Sequence, residues 1–158
     1  MRIAAVSTSA RKGEKKTNRP EITLIANHGA EGDAHADGSH RQLSLLALED
    51  IEHMRSLGAD VHPGDFAENL TTEGVELHTC PVGTRFGVGE SVELVLTQIG
   101  KECHAGCAIR QQTGDCIMPS RGVFCRILKG GVVRPGDSFR ILSRPAPLAA
   151  SSQTEGQS

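Results

Sequence analysis

The 158-residue chain contains no Trp, no Tyr and only four Phe. Stacking of nucleic-acid bases on aromatic rings has little to work with, and the core must be built mainly from Val, Ile and Leu. An excess of charge is missing too. Seventeen Lys and Arg stand against nineteen Asp and Glu, for a formal net charge of -2, so no general field draws in phosphate polymers or an acidic membrane surface. No run approaches the roughly 18–20 apolar residues of a membrane-spanning helix, and the opening MRIAAVSTSARKG lacks the apolar stretch of an export signal. Neither nucleic acid nor membrane is an expected partner, and the cytoplasm is the expected compartment. Walker loop, Gly-x-Ser-x-Gly elbow and dinucleotide fingerprint are all absent.

What is present reads as one small β-rich domain, since domains commonly run about 100–200 residues. Residues 1–7 form an expected strand, and 8–20, with Arg11, Lys12, Lys15 and Lys16, an expected polar loop. In 21–27, Ile22, Leu24 and Ala26 share one face, as in a half-buried strand. The stretch 28–40 (HGAEGDAHADGSH) is too polar and glycine-rich for helix or strand. A helix follows, with Ser44 as its cap, Glu49, Asp50 and Glu52 in its front half, Arg55 near its end and Gly58 stopping it. Leu48, Ile51 and Met54, with Ala47, form an apolar stripe that suits packing on a sheet. Short strands are expected at 66–71, 85–88, 91–98, 123–128 and 138–142, separated by glycine turns at 88–90, 130–131 and 135–137. The expectation is a mainly β domain, a closed or nearly closed barrel with one or two short helices, over 1–143. By composition, 144–158 is a disordered tail.

Five cysteines, an odd number with no export signal, argue for free thiols. Cys103 comes just after the clearest strand, in a stretch that also carries Lys101, His104 and Arg110. Nearby cations and exposed amides favour thiolate over thiol, which makes Cys103 the candidate reactive group. Cys107 stays open between a working and a packing role. Cys125 alternates within an apolar strand and Cys80 precedes Pro81, so both are expected to be structural. Zinc competes for the same residues, with Cys103, Cys107, His104 and Cys116 as donors, but the second close pair of a structural site is missing. A second polar cluster holds Asp33 and His35, flanked by His28, His40 and Arg41-Gln42. Two residues apart on extended chain, Asp33 and His35 face one side, which suits an anion or metal contact, or equally a hydrogen-bonded turn. In a third, PGDFAENL at 63–70, Asp65, Glu68 and Asn69 suit turn caps.

These clusters, in this order, resemble the MOSC family, the domain named for the C-terminal part of molybdenum-cofactor sulfurases. The matching pieces are EGDAHA followed by HRQLSLLA, PGDFAENLTTEGV with PVGTRFGVGE, VELVLTQIGKECHAGCAI, and GVFCRILKGGVVRPGDSFRIL. They cover most of residues 1–142 and look most similar to the small stand-alone bacterial members. The resemblance implies a MOSC-like β-barrel and a role in handling sulfur or the molybdenum cofactor (molybdopterin), with or without a cofactor permanently bound. It places Cys103 at the family's key cysteine, as a persulfide carrier or a molybdenum ligand, with Cys107 a lesser metal candidate. Lys101 and Arg110 would then stabilise the thiolate and attract an anionic pterin phosphate. Arg41, Asp33 and His35 would line the opposite wall, with Lys12 and Lys15 as further phosphate contacts. The implied partners are a pyridoxal-phosphate-dependent cysteine desulfurase and a molybdoenzyme or cofactor-biosynthesis protein. The alternatives are a component of a molybdenum-cofactor-dependent reductase and a structural zinc or scaffold module.

Overall fold

The computed structural model describes residues 1–10, 16–33, 36, 42–100 and 121–145. The strands among them are β1 (Arg2–Thr8), β2 (Thr17–Arg19), β3 (Ile22–Ile25), β4 (Gly29–Ala30), β5 (Leu43–Ala47), β6 (Leu70–Glu73), β7 (Arg85–Val88), β8 (Val92–Ile99), β9 (Val123–Lys129), β10 (Gly131–Val133) and β11 (Phe139–Ser143). One α-helix, α1 (Leu48–Ser56), and a 3-10 turn (Leu77–Thr79) join them among the described residues. No helix is long and apolar enough to cross a membrane among these residues.

The mainly β expectation holds. Eight strands form one sheet in the order β11-β7-β8-β9-β5-β6-β1-β2, and β10-β3-β4 form a second. Neighbours in both sheets run antiparallel except β5 and β6. Those two are parallel because α1 carries the chain back between them, as a crossover helix must. The large sheet does not close into a continuous barrel. Among the described residues β1, the strand next to the β2 edge, meets the start of β11 at a bridge between Arg2 and Ser138, backed by Ile3 N–H to Asp137 O at 2.8 Å and Phe139 N–H to Met1 O at 3.2 Å.

Register explains where the core sits. Val6 faces Leu70, Leu70 faces Leu45, Leu45 faces Val123, and Val123 faces Ile99, a single row across five strands. The first four of these side chains are fully buried. Along β8 the alternation puts Val92, Leu94 and Leu96 inward. They join one cluster with Ile3, Phe86, Ile127 and Phe139, to which the small sheet adds Ile22, Leu24, Ala30 and Val133. The Phe86 and Phe139 rings lie 4.9 Å apart. A second cluster beneath α1 unites Leu46, Ile51, Met54, Ala59, Val61, Phe66 and Phe124. The stripe read from Ile51 and Met54 therefore packs on the sheet, while Leu48 is only half-buried.

Several local expectations are corrected. Ser44 is not a helix cap: it lies inside β5, and Ala47 takes the N-cap place with no side-chain cap. Its hydroxyl instead donates to Ala67 O at 2.9 Å, so a tertiary partner has claimed it. The expected strand at 66–71 starts only at Leu70, because the preceding residues curl with Gly64 at φ 96° and Ala67 at φ 63°. The expected loop 8–20 contains β2, and the expected glycine turn at 130–131 runs into β10. The stretch 28–40 includes the two-residue β4. The tail beyond residue 145 lies outside the described residues.

Phe86 is completely buried, so Phe86→Ala should cost about 3–5 kcal/mol through lost transfer energy and the cavity left behind. Urea denaturation of the variant checks this, and a loss below about 1 kcal/mol would contradict the placement of its ring.

Candidate functional site

The second polar cluster of the sequence is built around Asp33, which the fold takes inside. Asp33 Oδ1 accepts from Lys16 Nζ at 2.8 Å and from the Ser9 backbone N–H at 2.9 Å. Both side chains of the Lys16–Asp33 pair have 0% exposure. Lys16 Nζ also donates to Ser9 Oγ at 3.2 Å, and its own N–H donates to Gly64 O at 2.8 Å. Ser9 follows β1 and Lys16 precedes β2, so the clamp draws together the stems of the basic run 11–15 and fixes them to the GDAH stretch. Lys16, read from sequence as one of four clustered surface cations, is thereby singled out as a buried anchor. Nothing local distinguishes it from Arg11, Lys12 or Lys15; the distinction is made by Asp33.

The third cluster adjoins this clamp. Glu68 is fully buried, and its carboxyl accepts from Gly64 N–H at 2.9 Å, Phe66 N–H at 3.2 Å and the Thr71 hydroxyl at 2.9 Å. Burial pushes the carboxyl up to about 7, with these donors and its own backbone N–H pulling it down less strongly. Asn69, also fully buried, accepts from Ser44 N–H at 3.1 Å and donates to Ser7 O at 3.1 Å. The turn-cap reading holds for Glu68 and for Asp65, whose Oδ2 accepts the His62 N–H at 2.9 Å, but Asn69 instead ties two strands together. Gly64 must be glycine: a Cβ there would lie 2.5 Å from Lys16 O, a backbone atom with no room to yield.

The third place of interest is the stem of the segment that carries Cys103. Gly100, at φ 72°, donates its N–H to Gly122 O at 2.6 Å, and Gln98 Nε2 donates to Gly100 O at 2.8 Å. Residues 101–120 thus leave and re-enter the sheet through one hydrogen-bonded neck. Next to it, Arg121 Nη1 lies 3.5 Å from Asp50 Oδ1 on α1 and 3.2 Å from His78 Nε2 on the 3-10 turn. Burial raises the Asp50 carboxyl, while Arg121 and His78 work against that rise.

Cys103, Cys107, Lys101, Arg110, Arg41, His35, Lys12 and Lys15 lie outside the described residues, as do His104 and Cys116. Asp33 is the expected site residue whose surroundings are seen, and it is joined to Ser9 and Lys16. The two described cysteines are free and buried. Burial pushes both thiols up, with Arg144 partly opposing the rise at Cys80 and Cys80 adding to it at Cys125. Among the described residues no group of three or more His, Cys, Asp or Glu could hold a metal ion.

Comparison with known proteins adds the following. A family model described as the MOSC domain matches residues 32–140, more than half of the chain. Comparison with curated proteins returned no match. Among solved structures, the fold is similar to YuaD from Bacillus subtilis, with a TM-score of 0.67 at 17% identity over 87% of this chain and 93% of that one. It is similar to YiiM from Geobacillus stearothermophilus, with a TM-score of 0.68 at 17% identity over 92% and 76% of the respective chains. YiiM from Escherichia coli gives 0.62 at 20% identity over 93% and 72%. At such identities the likeness is one of fold alone.

Two predictions follow from the buried polar groups. Lys16→Met takes the ammonium away from the buried Asp33 carboxylate, and Asp33→Asn removes the charge facing the buried Lys16 ammonium. Each should cost roughly 3–5 kcal/mol, and the double variant should recover much of that loss. Urea denaturation of the three proteins is the check, and single variants within about 1 kcal/mol of the parent would contradict it. Glu68 binds its proton more tightly folded than unfolded, so its contribution to stability is complete below about 4.5 and is lost as pH rises through about 7. The full span is worth roughly 3 kcal/mol. Glu68→Gln should flatten the decline in unfolding free energy between pH 5 and 8, and parallel curves for variant and parent would refute it.

Proposed function

We propose, from the premise that the chain belongs to the MOSC domain family, that it is a sulfur carrier working through a persulfide on Cys103. The observation that carries this reading is the position of Cys103. It lies within the matched residues, three places beyond the Gly100–Gly122 neck, on a segment tethered to two core strands. The two described cysteines are poor rivals, because a thiol raised by burial is rarely the thiolate that reacts.

The chemistry needs no external oxidant. The Cys103 thiolate attacks the outer sulfur of a persulfide on a pyridoxal-phosphate-dependent cysteine desulfurase. A new S–S bond forms at Cys103, the donor's S–S bond breaks, and the donor cysteine leaves as a thiolate with the bonding electrons. The same exchange passes the sulfur on to a molybdoenzyme or cofactor-biosynthesis protein. Such traffic requires a reducing compartment, the cytoplasm by this reading.

The molybdenum cofactor is the second ligand this reading calls for. A thiolate is a soft donor suited to molybdenum, so Cys103 would hold the metal directly. Lys101, Arg110, Arg41, His35, Lys12 and Lys15 would supply the positive wall for an anionic pterin phosphate. Asp33 fits that wall as its anchor: a carboxylate repels phosphate, and its Oδ1 already serves Lys16 and Ser9.

Mass spectrometry tests the sulfur step. Incubation with a cysteine desulfurase, pyridoxal phosphate and cysteine should add about 32 Da, one sulfur atom, to the peptide containing Cys103. Cys103→Ser should abolish the adduct with the fold intact. An equal sulfur load on that variant would overturn the proposal.

A further inference from the structure

We infer that Cys80 and Cys125 are an oxidisable pair, two core thiols that the topology brings together and that a peroxide can join in a disulfide. The inference goes beyond the sulfur-carrier reading and is independent of Cys103. Both thiols are free, so the structure holds the reduced form.

Register fixes where Cys125 lies. On β9 it stands between Leu43 of β5 and Leu96 of β8. The chain carrying Cys80 has to cross that place. The 3-10 turn Leu77–Thr79 lies against β5. A few residues on, Gly83 N–H donates to Leu96 O and Leu96 N–H donates to Thr84 O, each at 2.8 Å, so the chain has by then reached the far side of β8. Because β9 lies between β5 and β8, residues 80–82 are the span that passes over it. Leu77, Cys80, Leu43, Leu96 and Cys125 belong to one apolar cluster, so the crossing runs on the buried face. The electrostatics agree: charge on Cys80 raises the Cys125 thiol further, a coupling that falls off with separation.

The two sulfurs differ in their surroundings. Cys125 has 0% exposure, and burial suppresses its thiol. Cys80 lies beside the exposed Arg144, whose charge works against the rise that burial causes. Cys80 is therefore the thiol that meets the oxidant. Its sulfur attacks one oxygen of hydrogen peroxide, the O–O bond breaks, and a sulfenic acid and water result. The Cys125 sulfur then attacks the Cys80 sulfur. An S–S bond forms, the S–O bond breaks, and the hydroxyl leaves with the Cys125 proton as water. The two thiols together give up two hydrogens, and the peroxide is reduced to water. With both thiols raised by burial the reaction is slow, a response to excess peroxide rather than a turnover step. The product ties the segment after the 3-10 turn to β9.

The test treats the folded full-length protein with hydrogen peroxide, blocks the remaining thiols with iodoacetamide in urea, and digests with trypsin without reduction. Cleavage after Arg55, Arg85, Arg121 and Arg126 puts Cys80 and Cys125 on separate peptides, 56–85 and 122–126. Mass spectrometry should find these two linked, about 2 Da lighter than their sum for the two hydrogens lost. In protein oxidised after unfolding in urea, chance pairing among five cysteines gives that link about one share in ten. The folded share should be several-fold larger. Cys80→Ser should leave Cys125 reduced and open to the iodoacetamide block. A linked peptide missing from the folded sample, or no commoner there than after unfolding, overturns the inference, as does a Cys125 oxidised just as readily without Cys80.

Discussion

Everything in this fold depends on one row of backbone partners, Val6–Leu70–Leu45–Val123–Ile99, which locks five strands to a common register. Four of its five side chains are completely buried, so a slip of one residue in any of these strands would turn a buried Val or Leu to the other face. The row also fixes the starting points of the chain's irregular parts. At one side, Val6 leads through Ser7 and Thr8 to the clamp at Ser9, Lys16 and Asp33. At the other, Ile99 leads to Gly100 and the neck of the Cys103 segment. Four strand spacings separate the two, about 19 Å measured along the sheet.

Around that row the protein buries an unusual amount of polarity. Ser7, Gln42, Glu68, Asn69, Thr71 and Thr72 are all at 0% exposure, with Lys16 and Asp33 close behind. Three of them, Gln42, Glu68 and Asn69, bond backbone groups with their side chains. Gln42 Oε1 accepts the Ile127 N–H at 2.9 Å, Asn69 bridges Ser7 and Ser44, and Glu68 collects the amides of its own turn. A buried amide without a partner is costly. Side-chain acceptors brought inside are the means by which non-repetitive segments can be packed at the heart of a β domain. Thr72 Oγ1 is the exception, buried with no hydrogen-bond partner among the described residues.

How much of this could be read beforehand depended on how local its cause is. Alternation of Val and Leu along 92–96, and of Ile22 and Leu24, reports directly on burial, and those strands stand where the pattern put them. The Ile51–Met54 stripe likewise lay under the right helix. Ser44 misled because the signal for a cap is one hydroxyl before an apolar periodicity, and a hydroxyl that serves Ala67 and Asn69 has the same appearance. Residues 66–69 misled because the left-handed conformation of Ala67 leaves no trace in the sequence. Lys16 was legible as a charge but not as a buried one, because its partner lies seventeen residues along the chain; Glu68 takes its donors from its own turn, and only the packing around that turn makes it buried. Membership of the family, by contrast, was legible in full, because it rests on the order of four motifs rather than on any one contact.

The arrangement separates what keeps the domain folded from what the proposed persulfide carrier at Cys103 would need. Stability comes from the apolar clusters and from the buried clamp, which lies among the strands and turns of residues 1–73. Persulfide exchange asks instead for a sulfur that a partner protein can approach, and such a sulfur cannot be packed like Cys125, whose thiol is suppressed by its burial. The two demands are compatible if the thiol rides on a segment joined to the core at a narrow base. The Gly100–Gly122 hydrogen bond is such a base: it requires only the left-handed backbone of Gly100 and a side chain from Gln98, and it borrows no residue from the buried clamp. Under that proposal, substitutions beyond the bond would bear on the thiol while the register row remains satisfied.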